Sequence, residues 1–177
     1  MPKIKNIFLH CSATGWGDAL EFDRWHRARG WSGIGYHYVI LNGRPFRDVD
    51  YWGFLDGQIQ PGRSLDDDPI FEAHEVGAHV AGRNHSSIGV CLVGRDKFTD
   101  EQLRVAKELL THLKYHFRLT FEDILGHCEA GTLGEQYATN KTCPNLPMPN
   151  FREYLYGMLG LAELQKKIAE HIRKIYG

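Results

Sequence analysis

The chain has 177 residues, of which 42% are hydrophobic and 24% charged, so it fits one folded domain and is not intrinsically disordered. A net charge of −1 lacks the basic excess typical of nucleic-acid-binding proteins, and no stretch approaches the roughly 18 apolar residues of a membrane span. The four cysteines form no C-x-x-C pair, which argues against a zinc ribbon. A disulfide framework is not expected, because a chain of this size can be stable without one.

The first part of the chain contains three strand patterns and one helix pattern. Asp18 with Glu21 three residues later resembles a capping box, which predicts a helix that ends near Gly30. Residues 42–56 are rich in glycine, proline, aspartate and aromatic residues and are predicted to form an inserted loop. A short buried strand is predicted over residues 5–10, and a run of aromatic and β-branched residues predicts a strand over 35–41. Residues 57–63 are predicted to form a third short strand.

The remaining chain adds strands and helices in alternation. A central strand is predicted over residues 87–93, and residues 121–126 lead into His127. A Thr99 and Gln102 capping box begins a helix with a buried stripe of Leu103, Ala106, Leu110, Leu113 and Phe117. After an irregular segment over residues 128–150, helices are predicted over 151–159 and 161–176.

This order predicts an α/β fold in which a mixed central β-sheet is flanked by helices. No internal repeat or linker is found, so a single domain is expected. Residues 1–159 would form its main body, and residues 160–177 would be a C-terminal helical extension of the same domain.

Histidine and cysteine residues at predicted strand ends and in a proline-stiffened loop are candidate metal ligands. His10 ends the first strand, His127 ends a later one, and Cys143 precedes Pro144. A catalytic zinc site needs a few nitrogen or sulfur ligands and one open position. Spacing alone leaves open that these are buried structural residues. A rival pair, His112 and His116, lies one helical turn apart but has no glutamate at the next position, which favours an exposed helix face.

Several motifs, in order, resemble the type-2 N-acetylmuramoyl-L-alanine amidases of the peptidoglycan-recognition superfamily. The similarity covers about residues 5–155 and includes small phage enzymes of that family. Compared with those, residues 42–56, 131–139 and 160–177 are departures that leave the candidate ligands in place. The motifs are His10-Cys11-Ser12-Ala13-Thr14, Arg24-Trp25-His26, Gly30-Trp31, Gly35-Tyr36-His37-Tyr38, the run from Gly77 to Gly94, Gly126-His127 and Lys141-Thr142-Cys143-Pro144.

The resemblance implies a zinc hydrolase with His10, His127 and Cys143 as ligands of one ion. It would cut peptidoglycan between muramic acid and L-alanine. Zinc lowers the pKa of bound water to about 7, so attack on the lactyl carbonyl becomes feasible near neutral pH. Lys141, two residues before Cys143, would stabilise the oxyanion. Tyr36 would assist proton handling, although on its own pattern it reads as a packed strand aromatic.

Other residues of the motifs receive weaker assignments. His79, Asn84 and His85 are predicted to contact the substrate, with loop anchoring as the alternative. His37 is assigned to structure because it alternates away from Tyr36. The remaining cysteines at positions 11, 91 and 128 are not expected to bind metal, and the first two are interpreted as packing thiols.

The resemblance favours a phage or prophage endolysin, and two alternatives stay open. One is a non-catalytic binding module, either for peptidoglycan or for regulation of a phage RNA polymerase. The other is a cell-wall recycling amidase. No signal-peptide pattern is present, so we expect synthesis in the host cytoplasm and action at the periplasmic wall after release. A monomer without nucleic-acid ligands is expected. The basic, amphipathic segment 160–177 would pack on the domain or contact a membrane.

Overall fold

The structure, a computed structural model, describes residues 3–177. Met1 and Pro2, with which the predicted domain begins, lie outside the described residues. Within that range the strands are β1 (Asn6–Cys11), β2 (Tyr38–Asn42), β3 (Asp56–Pro61), β4 (Ser87–Leu92) and β5 (Ile124–Gly126). The α-helices are α1 (Ala19–Ala28), α2 (Asp100–His116), α3 (Met148–Tyr156) and α4 (Leu161–Tyr176).

The five strands form one mixed sheet in the order β3-β2-β4-β1-β5. Strand β3 is antiparallel to β2, and the other neighbouring pairs are parallel. Every residue of β1 and β4 is buried, as expected for strands covered on both faces. Because β1, β2, β4 and β5 run in the same direction, their carboxyl ends meet at one edge of the sheet. This confirms the predicted α/β class and the central position of β4.

Helices cover the two faces of the sheet unequally. The main hydrophobic core joins Ile7 and Leu9 of β1 to α2, α3 and α4. The predicted stripe of α2 is buried, and Thr99 and Gln102 form the reciprocal capping box. On the other face, Phe22 of α1 packs in a smaller cluster, and Phe8 belongs to a third. His10 shares the sheet face of Phe8, since alternate residues of a strand point the same way.

Several predicted boundaries were wrong by a few residues. Strand β2 begins at Tyr38 rather than at residue 35, because the amide of Gly35 donates a hydrogen bond to His26 and its carbonyl accepts one from Ala78. Helix α3 begins at Met148, three residues early, because proline is tolerated in the first turn of a helix. Residues 121–123 form a 3₁₀ turn, which shortens the following strand to Ile124–Gly126.

Helix α4 packs against the domain. Its Leu164 and Ile168 are buried in the main core, and Leu161 and Ile172 are partly buried beside them. The apolar face of α4 therefore packs on the domain, as one of the two predictions had it. Membrane contact by residues 160–177 and the domain boundary at residue 159 stay predictions. No helix within residues 3–177 is long and apolar enough to cross a membrane.

Candidate metal centre

His10 lies at the carboxyl end of β1, and its imidazole has a close neighbour at each ring nitrogen. Its side chain is buried, with the His127 ring 4.8 Å away between centroids. Its Nε2 lies 3.1 Å from Nδ1 of His79, and its Nδ1 lies 3.7 Å from the Cys143 sulfur. One ring nitrogen therefore faces the protein interior, and the other faces the cysteine.

Three side chains from distant parts of the sequence converge at this edge. The candidate ligand atoms of His10, His127 and Cys143 all lie within 4.8 Å of one another, and no other such group occurs within residues 3–177. The backbone amide of Cys11 donates a hydrogen bond to the Cys143 sulfur over 3.3 Å. Cys128 is a separate half-buried thiol that the cluster does not include. The arrangement could hold one metal ion.

The segment that carries two of these residues contains no strand and is fixed by individual contacts. The amide of Cys128 donates to the carbonyl of Cys143 over 2.8 Å. The Glu129 carboxylate accepts two hydrogen bonds of 2.8 Å from Arg152 on α3, and a third of 3.0 Å from the amide of Gly126. These bonds fix the turn after β5 to the helix that follows the cysteine.

Burial keeps the candidate ligands uncharged. Burial, assisted by the rings of His79 and His127, holds the pKa of His10 well below its usual range. Burial and then the Lys141 ammonium lower the pKa of His127 to about 4. Each imidazole is therefore neutral near pH 7 and has a lone pair for a metal. A hydrogen bond with the Cys11 thiol, and then burial, raise the pKa of Cys143, so a cation is needed to stabilise its thiolate.

The two residues predicted to take part in chemistry lie beside the cluster. The Tyr36 ring is 5.2 Å from the His10 ring, and burial, followed by the thiols of Cys91 and Cys143, raises the pKa of its hydroxyl well above the usual value. Lys141 is exposed, lines the cleft at the cluster, and is close enough to lower the pKa values of both histidine ligands. Tyr36 is thus a protonated donor, and Lys141 is a cation at the mouth.

The residues predicted to contact substrate separate in the structure. His79 is buried behind His10. Asn84 lines a cleft, and its Oδ1 accepts hydrogen bonds from the amides of His79 and Val80. These bonds hold the loop together, as the alternative prediction of loop anchoring described. His85 is exposed and lies outside the lining of both clefts described below. His37 is buried and bonded to the amide of Gly89 and the carbonyl of Glu75, in agreement with a structural role.

The cluster lies at one end of a groove formed by two adjoining clefts. The cleft at the cluster has a volume of about 440 Å³ and the neighbouring one about 460 Å³. The shared wall consists of Trp31, Ala78, His79, His127 and Lys141. Such a groove could hold an extended ligand that runs from the cluster into the neighbouring cleft.

Sequence reasoning assigned no role to three residues that line the cleft. Trp31 packs against His26 with ring centroids 4.6 Å apart and a tilt of 31° between the rings, and both residues belong to the family motifs. Tyr176, near the end of α4, lines the same cleft and its hydroxyl accepts a 3.0 Å hydrogen bond from Asn145, two residues after Cys143. No signal in the sequence could place Tyr176 there, because the contact depends on how α4 packs.

The rival histidine pair does not form a metal site. His112 and His116 are exposed on α2 with ring centroids 6.0 Å apart, and His116 bonds to the carbonyl of Asp67. Leu113, at the position that would need a glutamate, is buried in the core. The exposed-face interpretation therefore agrees with the structure.

Comparisons with known sequences identify relatives of the chain. Residues 1–146 match the family described as N-acetylmuramoyl-L-alanine amidase. The endolysin of Klebsiella phage KP32 is 30% identical over 162 residues, which cover 85% of this chain and 87% of that protein. The endolysin of Escherichia phage T7 is 36% identical over 118 residues, which cover 60% of this chain and 64% of that protein.

Solved structures share the fold at lower identity. The N-acetylmuramoyl-L-alanine amidase LysC from Clostridium intestinale URNW is 23% identical, with a TM-score of 0.64 over 88% of this chain and 87% of the other. Drosophila PGRP-LB is 19% identical, with a TM-score of 0.56 over 81% and 76%. These similarities support the fold, and the sequence matches identify the family.

Proposed function

This chain belongs to the N-acetylmuramoyl-L-alanine amidase family, and we propose that it is a zinc-dependent amidase that acts on peptidoglycan as a phage or prophage endolysin. The bond it would hydrolyse joins N-acetylmuramic acid to L-alanine. The endolysin role is inferred from the phage relatives, which carry that name. The observation that carries the zinc proposal is the convergence of His10, His127 and Cys143 at one end of a groove.

The donor set fits zinc. Zinc in proteins is tetrahedral, with bonds of about 2.3 Å to sulfur and about 2.0–2.1 Å to nitrogen, which place a sulfur and a nitrogen ligand about 3.6 Å apart. The Cys143 sulfur and the His10 Nδ1 are 3.7 Å apart. Two neutral imidazoles and one thiolate leave a net positive charge and a fourth position. The Cys11 amide, which donates to the Cys143 sulfur, favours the thiolate form.

The residues around the cluster have complementary roles in the proposed reaction. His10, His127 and Cys143 would hold the zinc ion, which would supply Lewis-acid activation of water and of the scissile carbonyl. Lys141 would donate hydrogen bonds to the negative charge that develops on the carbonyl oxygen. Tyr36, whose pKa is raised, would keep its proton and donate a hydrogen bond beside His10. The groove would hold the part of the substrate that extends away from the bond.

Replacing the cysteine ligand tests the proposal. The Cys143→Ser variant should lose both bound zinc, measured by mass spectrometry after dialysis, and amide hydrolysis of purified cell-wall sacculi. The matched control is Cys128→Ser, which changes a half-buried thiol outside the cluster and should keep both. A Cys143→Ser protein that is free of zinc and fully active would refute the zinc mechanism.

The choice of substrate separates the proposed role from its alternatives. An endolysin should release dye from labelled sacculi, whereas a recycling amidase should cleave soluble muropeptides and leave sacculi intact. Binding to sacculi without hydrolysis would identify a non-catalytic module. A phage RNA polymerase partner, a membrane contact and the monomeric state stay predictions from the sequence.

A further inference from the structure

His79 lies directly behind the candidate ligand His10 and is connected to it by a chain of hydrogen bonds. Its Nδ1 is 3.1 Å from the His10 Nε2, and its Nε2 is 3.1 Å from the backbone carbonyl oxygen of Ser87. The His79 side chain is buried, and the His10 and His79 rings meet edge to face with centroids 5.1 Å apart. The chain therefore runs from the sheet backbone through His79 to the metal cluster.

The direction of each hydrogen bond follows from the carbonyl at one end. A carbonyl oxygen only accepts, so the Nε2 of His79 must carry a proton and donate to Ser87. In a neutral imidazole the other nitrogen then has a free lone pair, and Nδ1 of His79 is an acceptor. The Nε2 of His10 must therefore donate to it. This leaves the Nδ1 of His10 without a proton, and that atom is the one that faces the Cys143 sulfur.

The backbone around His79 is shaped to hold the ring in this orientation. A Cβ atom at Gly89 would lie 2.7 Å from Cγ of His79, and one at Gly77 would lie 2.9 Å from Cδ2. The amide of His79 donates to Asn84 Oδ1 over 2.9 Å. Two glycines thus give the ring close backbone contact, and Asn84 fixes the loop that carries it. A ring that only filled space would not need both of its nitrogens aligned with partners.

We propose that His79 is a positioning residue that holds His10 in the Nε2-protonated tautomer, so that Nδ1 of His10 is presented to the metal. The proposal rests on the zinc site proposed above and adds to it a residue that lies outside the cluster of three ligands. It replaces the predicted substrate contact of His79. Metal-binding histidines commonly donate their second nitrogen to a carboxylate or a carbonyl, and here a second histidine transmits the hydrogen bond to the carbonyl.

Two substitutions at position 79 separate positioning from packing. The His79→Leu variant removes the acceptor, and we expect zinc affinity to fall about 10–100-fold in competition with a chromogenic chelator. The His79→Asn variant can place its Oδ1 where Nδ1 was, and it should retain most of the affinity. Equal zinc affinity in the wild type and in His79→Leu would overturn the proposal, as would an equal loss in both variants at matched thermal stability.

The tautomer can also be observed without zinc. In the metal-free wild-type protein labelled with ¹⁵N-histidine, NMR should show His10 protonated at Nε2 and His79 also protonated at Nε2. A His10 proton on Nδ1 would refute the proposal, even if the Leu variant does not fold. Failure of the zinc site is distinguishable, because a wild type that binds no zinc would contradict the proposed function while the tautomer measurement still tests His79.

Discussion

The candidate metal centre is held from two sides that are built in different ways. On the strand side, His10 belongs to β1, which pairs with β4 on one side and with β5 on the other. The ring of His10 is aligned by its hydrogen bond with His79. On the loop side, His127 and Cys143 belong to a segment without strands, which individual bonds hold to its surroundings. The sheet fixes the position of His10, so the remaining variable is which of its ring nitrogens carries the proton. The loop side needs its position fixed, and it also supplies the exposed cation Lys141.

The largest effect is expected where the loop side supplies chemistry. The Lys141→Ala variant should keep its zinc but lose turnover by roughly 100-fold or more, because one donor to the developing oxyanion is removed. Steady-state hydrolysis of sacculi and metal content measure the two quantities. The Lys97→Ala variant, which removes another exposed lysine, is the control for charge. A nearly normal rate in Lys141→Ala would exclude the oxyanion role.

Acid should destabilise the fold through buried histidines, among them His79 on the strand side. Burial lowers the pKa of His79 to about 3 and that of His37 to about 4. The unfolded chain therefore binds more protons below pH 6.5, and stability that is fully present above that pH is lost as pH falls towards these values. For His79 alone the loss between pH 8 and pH 5 should be about 2 kcal/mol.

The measurement compares metal-free wild type with His79→Asn in urea unfolding at both pH values. The wild type should lose more stability on acidification than the variant, because the variant has no group to titrate at position 79. The His85→Asn variant, which changes an exposed histidine, should follow the wild type. If the stability of wild type and of His79→Asn fell equally between the two pH values, protonation of His79 would not contribute to unfolding in acid.

A smaller effect is expected from loosening the loop side. Arg152→Met removes the pair with Glu129, whose two side chains are 20% and 21% exposed, and should lower the free energy of unfolding by about 1–2 kcal/mol. Zinc should dissociate faster, because the turn after β5 is no longer tied to α3. Arg104→Met, which breaks two exposed ion pairs on α2, should change neither quantity. Unchanged zinc dissociation in Arg152→Met would mean that the remaining contacts suffice.

The sequence predicted the fold well where local patterns and tertiary structure agree. Strand β4 is a short apolar run, and it matches its predicted bounds within one residue. Helix α2 has both a capping box and a regular stripe, and it begins directly after the predicted cap at Thr99. Strand β2 was predicted to begin too early because the hydrogen bonds of Gly35 connect to other parts of the chain. Helix α3 was predicted to begin too late because prolines were interpreted as loop signals.

The site was predictable only through its family resemblance. Spacing could not join His10 to a residue 133 positions away, and the convergence requires the parallel pairing of β1 with β5. His79 was interpreted as a substrate contact because it lies in a loop. Its actual partner is 69 residues earlier in the chain, and the glycine that makes room for it lies on a neighbouring strand, so no local pattern reveals the contact.

The position of Tyr176 has a practical consequence for handling the protein. Its hydroxyl accepts a hydrogen bond from Asn145 beside the ligand loop, and its ring lies under the Arg95 guanidinium. An affinity tag fused directly after Gly177 of this chain would therefore begin at the wall of the cleft that holds the candidate metal centre. Lys3, by contrast, precedes β1 at the opposite edge of the sheet and pairs with Ile70. Purification handles and immobilisation chemistry belong at that amino-terminal edge, where they leave access for a polymeric substrate open.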